Sequence, residues 1–323
     1  PKGIIASFSR RFTFVKMNKA MYLKLLRESS PMTHVVLLAM VIFISGTAFM
    51  LLSYLLGWTI FGVGVGEFEQ AIGDLSIPRN LNLMKLFQAM QTIGLFILPP
   101  FLIAWVLHNQ PARFLFLDRF PTLRNLILVI AIVVFSNPFV GWLVDVNQWL
   151  GSLEDWMIQS EDKANAITAA FLDSQSFGGF AVNLLLVGVL PAVGEELLFR
   201  GVVQQILKRM TRNAHAAIWI SAAIFSAMHM QFFGFLPRLL LGAMFGYMLE
   251  WTGTLWAPMI AHFINNAAVV VVVYFAPEMS PGMTGGEPGS MPDPNFFNAM
   301  VSLFFVGAFF RAIYVGFIRH RHE

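Results

Sequence analysis

An apolar stretch of the chain carries three charged residues near its middle: residues 191–201 read PAVGEELLFRG. Two carboxylates, Glu195 and Glu196, and one guanidinium, Arg200, therefore lie within a hydrophobic segment that extends over residues 180–207. If this segment crosses a membrane, a charged side chain at its centre costs roughly 2.5–3.5 kcal/mol on insertion. Such residues are retained where they pair or carry out chemistry, so the composition of the whole chain decides how to interpret them.

The composition is that of a membrane protein. The 323 residues are 57% hydrophobic and only 12% charged, whereas about 25% of the residues in a soluble globular domain are charged. Intrinsic disorder is excluded, because disordered chains have few aromatic residues and this one has 14%. The chain has no cysteine, which excludes a thiol nucleophile, a disulfide and a thiolate metal site.

Several segments are apolar over about the 20 residues that a membrane-spanning helix needs. The sequence therefore predicts an all-α, polytopic membrane protein with about eight transmembrane helices. The predicted spans are residues 32–57, 84–107, 124–146, 180–207, 214–231, 238–252, 256–276 and 296–318.

The sequence predicts four parts along the chain. These are a basic amphipathic segment at 1–31, N-terminal transmembrane helices and loops at 32–175, a core at 176–276, and an outer loop with the last transmembrane helix at 277–323. The first part mixes Lys and Arg with Phe, Met and Leu, which is typical of a helix that lies on a membrane surface. We expect the acidic connection at 147–179 to be solvated.

The distribution of charge predicts the orientation. With the N-terminus placed inside, most of the 21 Lys and Arg residues fall on the inner side, and the outer loops are acidic. The positive-inside rule then predicts that both termini are cytoplasmic. The composition and compact sequence are typical of a bacterial protein, so we expect the inner membrane. The basic residues report topology and affinity for the lipid bilayer, and no nucleic-acid partner is expected.

Helix geometry separates the roles of the three charged residues. Neighbouring residues on a helix point about 100° apart, because 3.6 residues complete one turn. Arg200 follows Glu196 by four residues, the favourable order for an ion pair on one helix face. We therefore predict a Glu196–Arg200 ion pair, which leaves Glu195 free to face a cavity.

Two histidines lie deep within other predicted spans. His229 follows Phe225 by four residues, and Asn266 follows His262 by four, so each pair shares one helix face. A single intramembrane histidine is often only a hydrogen-bonded contact between helices. Together with Glu195, these residues indicate a polar cavity suited to acid–base chemistry.

Taken in order, Glu-Glu-x-x-x-Arg, Phe-x-x-x-His and His-x-x-x-Asn resemble the CAAX protease and bacteriocin-processing enzyme (Abi) family of intramembrane proteases. This family is related to the type II CAAX prenyl endopeptidases, and the resemblance covers about residues 175–276. It implies that Glu195 is the general base and that His229 orients the attacking water. It also implies that His262 and Asn266 polarise the scissile carbonyl and stabilise the oxyanion. The residues expected to support them are Glu196, Arg200 and Phe225.

The cofactor requirement has two interpretations. Glu195, His229 and His262 would make a Glu/His/His ligand set, which is the ligand count of a catalytic zinc site. The pairing of His262 with Asn266 is more typical of an oxyanion clamp, because asparagine is a poor zinc ligand. The chain also lacks the His-Glu-x-x-His motif of zinc proteases. We expect a metal-free glutamate mechanism, with zinc as the alternative.

Two further classes of function stay open at this point. Intramembrane glutamate and histidine also serve proton relays, so a proton-coupled transporter is one alternative. Transporters often contain inverted repeats, and no second half of the chain matches residues 180–270. The other alternative is a catalytically silent membrane scaffold or immunity protein. For the protease, the expected substrate is a peptide or a membrane-protein precursor.

Overall fold

A computed structural model describes residues 19–150, 154–174, 176–277 and 296–322. These residues form helices joined by short connections, without a β-strand. The helices, in chain order, are α1 (Lys19–Arg27), α2 (Pro31–Phe61), α3 (Phe68–Gly73), α4 (Pro78–Leu107), α5 (Pro111–Phe114), α6 (Leu123–Leu150), α7 (Asp155–Leu172), α8 (Phe177–Thr211), α9 (Ala214–Met228), α10 (Phe235–Thr252), α11 (Trp256–Phe275) and α12 (Phe296–His322).

Six of the described helices are long and apolar enough to cross a membrane. The qualifying stretches are Pro31–Phe61, Pro78–Leu107, Leu123–Asn147, Phe177–Thr211, Trp256–Phe275 and Phe296–Arg319. Their outer surfaces are strongly apolar; Phe43 on α2 and Phe304 on α12, for example, are 74% and 72% exposed. Large apolar surfaces of this kind are covered by lipid rather than water. The prediction of an all-helical integral membrane protein is confirmed.

The two remaining predicted spans, 214–231 and 238–252, correspond to α9 and α10. Helix α9 has 15 residues, fewer than the roughly 20 that a full crossing requires. Helix α10 has 18 residues and includes Arg238 and Glu250, which lower its hydropathy. The expected number of eight spans is therefore not established, and the cytoplasmic placement of both termini stays a prediction.

The N-terminal segment is described only from residue 19. Helix α1 ends just before Ser30, whose hydroxyl accepts a hydrogen bond from the Thr33 amide and caps α2. The Arg27 side chain donates to the Val106 carbonyl at 3.1 Å, which fixes α1 against the end of α4. Residues 1–18 of the predicted amphipathic segment and residues 278–295 of the predicted outer loop lie outside the described residues.

Two spans contain π-helical turns, which are often found at functional sites. One lies at Ile93–Ile97 in α4, and two lie at Leu184–Val189 and Phe199–Val203 in α8. Glu195 and Glu196 are on the α-helical stretch Leu190–Leu198 between the two π-helical turns of α8. The two π-helical turns therefore lie on either side of Glu195 and Glu196.

Helix α10 is joined to α8 by three polar contacts spaced four residues apart. Arg200 donates to the Gly242 carbonyl at 2.7 Å, and Gln204 donates to the Gly246 carbonyl at 3.3 Å. Lys208 forms an ion pair with Glu250 at 2.7 Å. The shared four-residue period places all three contacts along one face of each helix. These contacts satisfy polar groups that would otherwise be costly to bury.

The expectation that residues 147–179 are solvated is wrong for part of this connection. Residues 155–172 form α7, where Glu161 is 8% exposed and Phe171 is 1% exposed. Lys85 on α4 donates both to the Phe171 carbonyl at 3.2 Å and to the Asn183 side chain at 2.9 Å. Helix α7 is therefore packed onto the transmembrane helices, while its other carboxylates remain exposed.

Candidate active site

Glu196 is the centre of a buried polar cluster. Its Oε1 accepts a hydrogen bond from Arg200 Nη1 at 3.0 Å and another from His262 Nδ1 at 2.9 Å. The Glu196 and Arg200 side chains are 0% and 1% exposed. The ion pair that the four-residue spacing predicts is present. The bond from His262, 66 residues further along the chain, has no counterpart in that spacing.

The positive charge of the Arg200 guanidinium is compensated by several neighbouring groups. Besides the ion pair with Glu196, it donates to the Gly242 carbonyl at 2.7 Å. It also lies over the rings of Phe225, at 4.8 Å, and Phe245, at 5.6 Å. A cation on an aromatic face gains electrostatic attraction, and more so where water is excluded. Phe225 therefore covers a buried charge as well as contacting His229, the role that the resemblance implies.

Glu195 faces His262 from the side opposite Glu196. Its Oε2 lies 3.8 Å from His262 Nε2, and its side chain is 17% exposed. Because Glu196 Oε1 accepts from both Arg200 and His262, the proton of the neutral imidazole is on Nδ1. His262 Nε2 then offers a lone pair towards Glu195, and it becomes a donor only when the ring is protonated. Donation from His262 to an oxyanion therefore requires the imidazolium form.

The His262 ring is fixed in place by aromatic neighbours. It stacks on Phe245 at a centroid distance of 5.2 Å and meets Phe225 edge-on at 6.1 Å. The residue itself is 5% exposed. A carboxylate that orients one imidazole nitrogen while the other faces the reacting group is a common arrangement in hydrolytic sites. Packing and the Glu196 bond together select one orientation of the ring.

His229 is at the C-terminal end of α9, where the chain leaves the helix. Its Nδ1 is 2.9 Å from the Phe225 carbonyl, and its ring meets Phe225 edge-on at 4.9 Å. It lies within range of electrostatic interaction with both Glu195 and His262. The structure thus brings His229 to the same site as the two residues. With Nδ1 bonded to the backbone, His229 Nε2 is the ring atom left for a ligand.

Asn266 is joined to α8 by a hydrogen bond to a carbonyl that Pro191 cannot bond. Pro191 has no N–H, so it cannot donate to the Val187 carbonyl four residues earlier. That carbonyl accepts from Asn266 Nδ2 at 3.1 Å. Asn266 Oδ1 in turn accepts from Asn265 at 3.2 Å. One amide hydrogen of Asn266 is therefore occupied, and the second is the one that could reach a substrate oxygen.

The alternative zinc set does not form a compact ligand group. Among the described residues, no three His, Asp or Glu side chains approach one another as metal ligands do. Glu195 Oε2 lies 3.8 Å from His262 Nε2, while His229 Nδ1 is held by the Phe225 carbonyl. The metal-free mechanism and the zinc-dependent one both stay predictions.

No sequence pattern indicates the residues that hold the connection after His229. Asn147, Ser160, Glu161 and Arg238 all bond to backbone or side-chain groups of residues 229–236. Glu161 lies in the acidic connection at 147–179 with four other carboxylates, and no local pattern distinguishes it from them. Only its burial and its backbone bond mark it out.

Comparison with known proteins finds similarity over part of the chain. Residues 177–268 match the family model described as Type II CAAX prenyl endopeptidase Rce1-like. A stretch of 97 residues is 33% identical to the protein named "Uncharacterized protein YpbD" of Bacillus subtilis (strain 168). That stretch covers 29% of this chain and 47% of that protein, so the match spans about half the length of the relative. No solved structure matches the chain significantly.

The matched segment contains every residue of the candidate site that the three motifs indicated, from Glu195 to Asn266. The fold around it is helical and membrane-embedded, as the resemblance implies. The resemblance is confirmed: over residues 177–268, this integral membrane protein carries the sequence pattern of the CAAX protease and bacteriocin-processing enzyme family.

Proposed function

We propose that this chain is an intramembrane endopeptidase in which Glu195 activates the water that attacks a peptide bond. One observation carries the proposal: Glu195 lies 3.8 Å from His262 Nε2, and His262 is bonded through Nδ1 to the buried Glu196. Three titratable groups in contact within apolar helices are expensive to insert, and such groups are typically functional. The family match over residues 177–268 supports a peptidase.

The proposed chemistry needs one water and no covalent enzyme intermediate. Glu195 accepts a proton from the water, and the resulting hydroxide oxygen bonds to the carbonyl carbon of the substrate. The C–N bond then breaks, and the proton held on Glu195 passes to the leaving amine. Water is consumed, one carboxylic acid and one amine form, and Glu195 returns to its starting state. A positioned general base of this kind typically contributes 10²–10⁴-fold to a rate.

The other residues are proposed to act on the substrate carbonyl and the water. His262, when protonated, would donate from Nε2 to the developing oxyanion, and the unoccupied amide hydrogen of Asn266 would be the second donor. His229 would orient the water through Nε2, because its Nδ1 is held by the Phe225 carbonyl. Preorganised donors in a site that excludes water stabilise an oxyanion by a few kcal/mol each.

The zinc-dependent form of the same protease is the alternative proposal on cofactors. The metal would use Glu195, His229 and His262, and its bound water would replace the one activated by Glu195 alone. Elemental analysis of the purified protein separates the two. We expect substoichiometric zinc and activity that persists in the presence of a chelator. One zinc per chain, lost together with activity and restored with it, would contradict the metal-free mechanism.

The substrate is proposed to be a peptide or a membrane-protein precursor, processed in the manner of CAAX-type cleavage. The site lies among membrane helices, so the scissile bond must reach it from the bilayer or its surface. A bacterial inner membrane is the location that we propose. Trapping with Glu195→Gln, followed by mass spectrometry of the bound peptides, would identify the substrate class. A matched control is Glu69→Gln, which removes an exposed carboxylate on α3.

A direct test uses the purified protein in detergent and in liposomes. We expect the parent and Glu69→Gln to cleave members of a peptide library, and Glu195→Gln to cleave none. Cleavage by Glu195→Gln at the parental rate would exclude Glu195 as the base. Proton flux into liposomes without any cleavage would favour the transporter, since closely spaced glutamate and histidine also suit proton transfer. Neither activity, in a folded protein, would favour the silent scaffold.

A further inference from the structure

The connection between α9 and α10 begins at His229 and has little regular structure of its own. Met230 adopts φ +53°, a left-handed conformation that non-glycine residues rarely occupy. Such conformations persist where the surrounding structure holds them. We refer to residues 229–235 as the His229 segment. Its position determines where the His229 ring lies relative to Glu195.

Helix α7 holds this segment through its backbone. The Ser160 hydroxyl donates to the Met230 carbonyl at 2.9 Å, and the Phe233 amide donates to Glu161 Oε2 at 3.3 Å. Trp156 lies one helical turn before Ser160, and its ring meets that of Phe232 edge-on at 5.1 Å. Helix α7 therefore contacts the His229 segment at three of its residues, Met230, Phe232 and Phe233.

Two other side chains complete the restraint from either end. Asn147, near the end of α6, donates to the Phe232 carbonyl at 2.6 Å and accepts from the Leu236 amide at 3.2 Å. Arg238 donates to the Gln231 carbonyl at 2.7 Å and to its side-chain oxygen at 3.0 Å. The backbone groups of an irregular connection need partners when water is excluded, and here side chains from outside supply them.

Helix α7 is itself held in place by other helices, so it can restrain the His229 segment. Lys85 on α4 bonds to the Phe171 carbonyl near the end of α7 and to Asn183 at the start of α8. The Phe171 ring is buried at this end. A lysine close to a helix C-terminus is also favoured by the helix dipole. Through Lys85, helix α7 is thus connected to the transmembrane helices α4 and α8.

Glu161 is a buried carboxylate whose contacts lie in the connection after α9 and at the start of α10. A carboxylate is almost never buried without a partner, because its desolvation is costly. Glu161 is 8% exposed, bonds to the Phe233 amide, and lies within electrostatic range of Arg238. Arg238 is in turn within electrostatic range of Glu195. The buried carboxylate is therefore directed at the segment that presents His229.

We propose that Glu161 is a positioning residue for the reaction, which fixes His229 against Glu195 by holding the Phe233 amide. The inference rests on the proposed peptidase function, and it adds a residue outside the segment that the family match covers. A displacement of about 1 Å in a catalytic group can lower a rate about 100-fold. Glu161 would thus act through geometry, without touching the substrate.

The kinetic test compares three single variants in the full-length protein. Glu161→Ala removes the acceptor, and we expect kcat to fall about 10-fold to 100-fold with little change in KM. Glu161→Gln retains an acceptor oxygen for the Phe233 amide, so it should recover most of the parental kcat. Asp162→Ala removes the neighbouring, exposed carboxylate and should leave both constants unchanged. Parental kinetics in Glu161→Ala would overturn the proposal.

A second measurement separates this inference from the proposed function. We expect amide hydrogen exchange to accelerate in residues 229–235 of Glu161→Ala and not in Asp162→Ala, whether or not a cleavable peptide is known. Faster exchange throughout the protein would show that Glu161 only stabilises the fold. If the parent cleaves no peptide but exchange in residues 229–235 is faster in Glu161→Ala, the peptidase proposal fails, whereas the restraint of the His229 segment by Glu161 is supported. Unchanged exchange in residues 229–235 of Glu161→Ala would contradict the restraint by Glu161.

Discussion

Two spans of similar length use their polar residues in opposite ways. Helix α2, with 31 residues, carries no charged side chain, and 17% of its most apolar stretch is buried. The hydroxyls of Ser53 and Thr59 donate to carbonyls four residues earlier in the same helix. Helix α8, with 35 residues, directs polar side chains into other helices instead. Its Glu196–Arg200 ion pair forms within the helix, but the further hydrogen bonds of these two side chains come from α10 and α11.

The difference shows what each span requires from its surroundings. A helix that satisfies its own hydroxyls can be inserted alone and then packed by shape. A helix that carries Glu195, Glu196 and Arg200 is costly to insert until partners from α10 and α11 are present. We infer that α2 contributes mainly apolar packing and membrane anchoring, whereas α8 concentrates the chemistry. Four variants test this contrast, from the largest expected effect to the smallest, and an exposed ion pair serves as the control for the second.

The largest effect should come from Glu195, the carboxylate on α8 without a close ion pair to a Lys or Arg. Glu195→Gln should lower kcat by about 10²–10⁴-fold, because the general base is lost. Its free energy of unfolding should stay the same or rise, since an incompletely compensated charge is removed. Peptide cleavage and detergent unfolding measure the two effects. A large loss of stability would instead place Glu195 among the structural residues of α8.

The buried ion pair should give the largest effect on stability. Arg200→Met should lower the free energy of unfolding by about 3–5 kcal/mol, because it leaves Glu196 buried without its cation. Replacing both residues, as Glu196→Leu with Arg200→Met, should cost less than the single change. Unfolding in mixed detergent micelles measures these differences. A double variant as unstable as the sum of its single variants would contradict the pairing.

A control pair has the same spacing on an exposed helix. Lys24 on α1 and Glu28, just after its end, lie 3.9 Å apart, four residues from each other, with side chains 73% and 65% exposed. Lys24→Met should cost only about 0.2–1 kcal/mol, because water compensates the remaining charge. The comparison with Arg200→Met therefore isolates the effect of burial from that of helix spacing.

A smaller effect should follow from crowding the contacts of α10 with α9 and α8. A Cβ at Gly242 would lie 3.2 Å from the Ala222 Cα and 3.3 Å from Arg200 Nη2. Gly242→Ala should therefore destabilise the protein by about 1–3 kcal/mol. Gly141→Ala on α6 adds a methyl group where no atom lies within 4 Å, and should be neutral or stabilising by up to about 1 kcal/mol. Equal thermal stability for the two variants would disprove tight packing at Gly242.

The smallest effect should come from α2 itself. Ser45 donates to the Gly94 carbonyl on α4 at 2.6 Å, whereas Ser53 donates only to Phe49 in its own helix. Ser45→Ala should cost about 0.6 kcal/mol, the average for a polar contact between transmembrane helices. Ser53→Ala should cost less, because no contact between helices is lost. A loss of several kcal/mol at Ser45 would break the contrast between α2 and α8.

The local features of the site could be read from the sequence, and its long-range contacts could not. The spacing of Glu196 and Arg200 predicts their ion pair, because helix geometry alone brings them together. The order of the three motifs indicates which residues share a site. The bond between Glu196 and His262 depends on how α11 packs against α8, which no periodicity encodes. Sequence spacing paired Glu196 with Arg200 only, whereas one oxygen serves both partners.

The acidic connection shows the same limit. Its composition indicates exposure, and most of its carboxylates are exposed. The burial of Glu161 depends on a hydrogen bond to Phe233, 72 residues away. The expected number of eight spans is likewise not established, because α9 and α10 are apolar but fall short of the length or hydropathy of the six longer helices. Hydropathy indicates whether a segment is apolar enough for a membrane. The residues at which its helix begins and ends depend on the neighbouring groups that cap or interrupt it.

The sequence by itself determined the class of the protein, its helical character and the residues that stand out as functional. It could do so because apolar length and four-residue spacing are local properties, and because charge is scarce enough for Glu195, Glu196 and Arg200 to be conspicuous. Only the tertiary structure decided which groups meet. The bonds of His262 to Glu196 and of Asn266 to Val187 join helices that are distant in sequence, and they form because packing leaves each buried polar group few other partners.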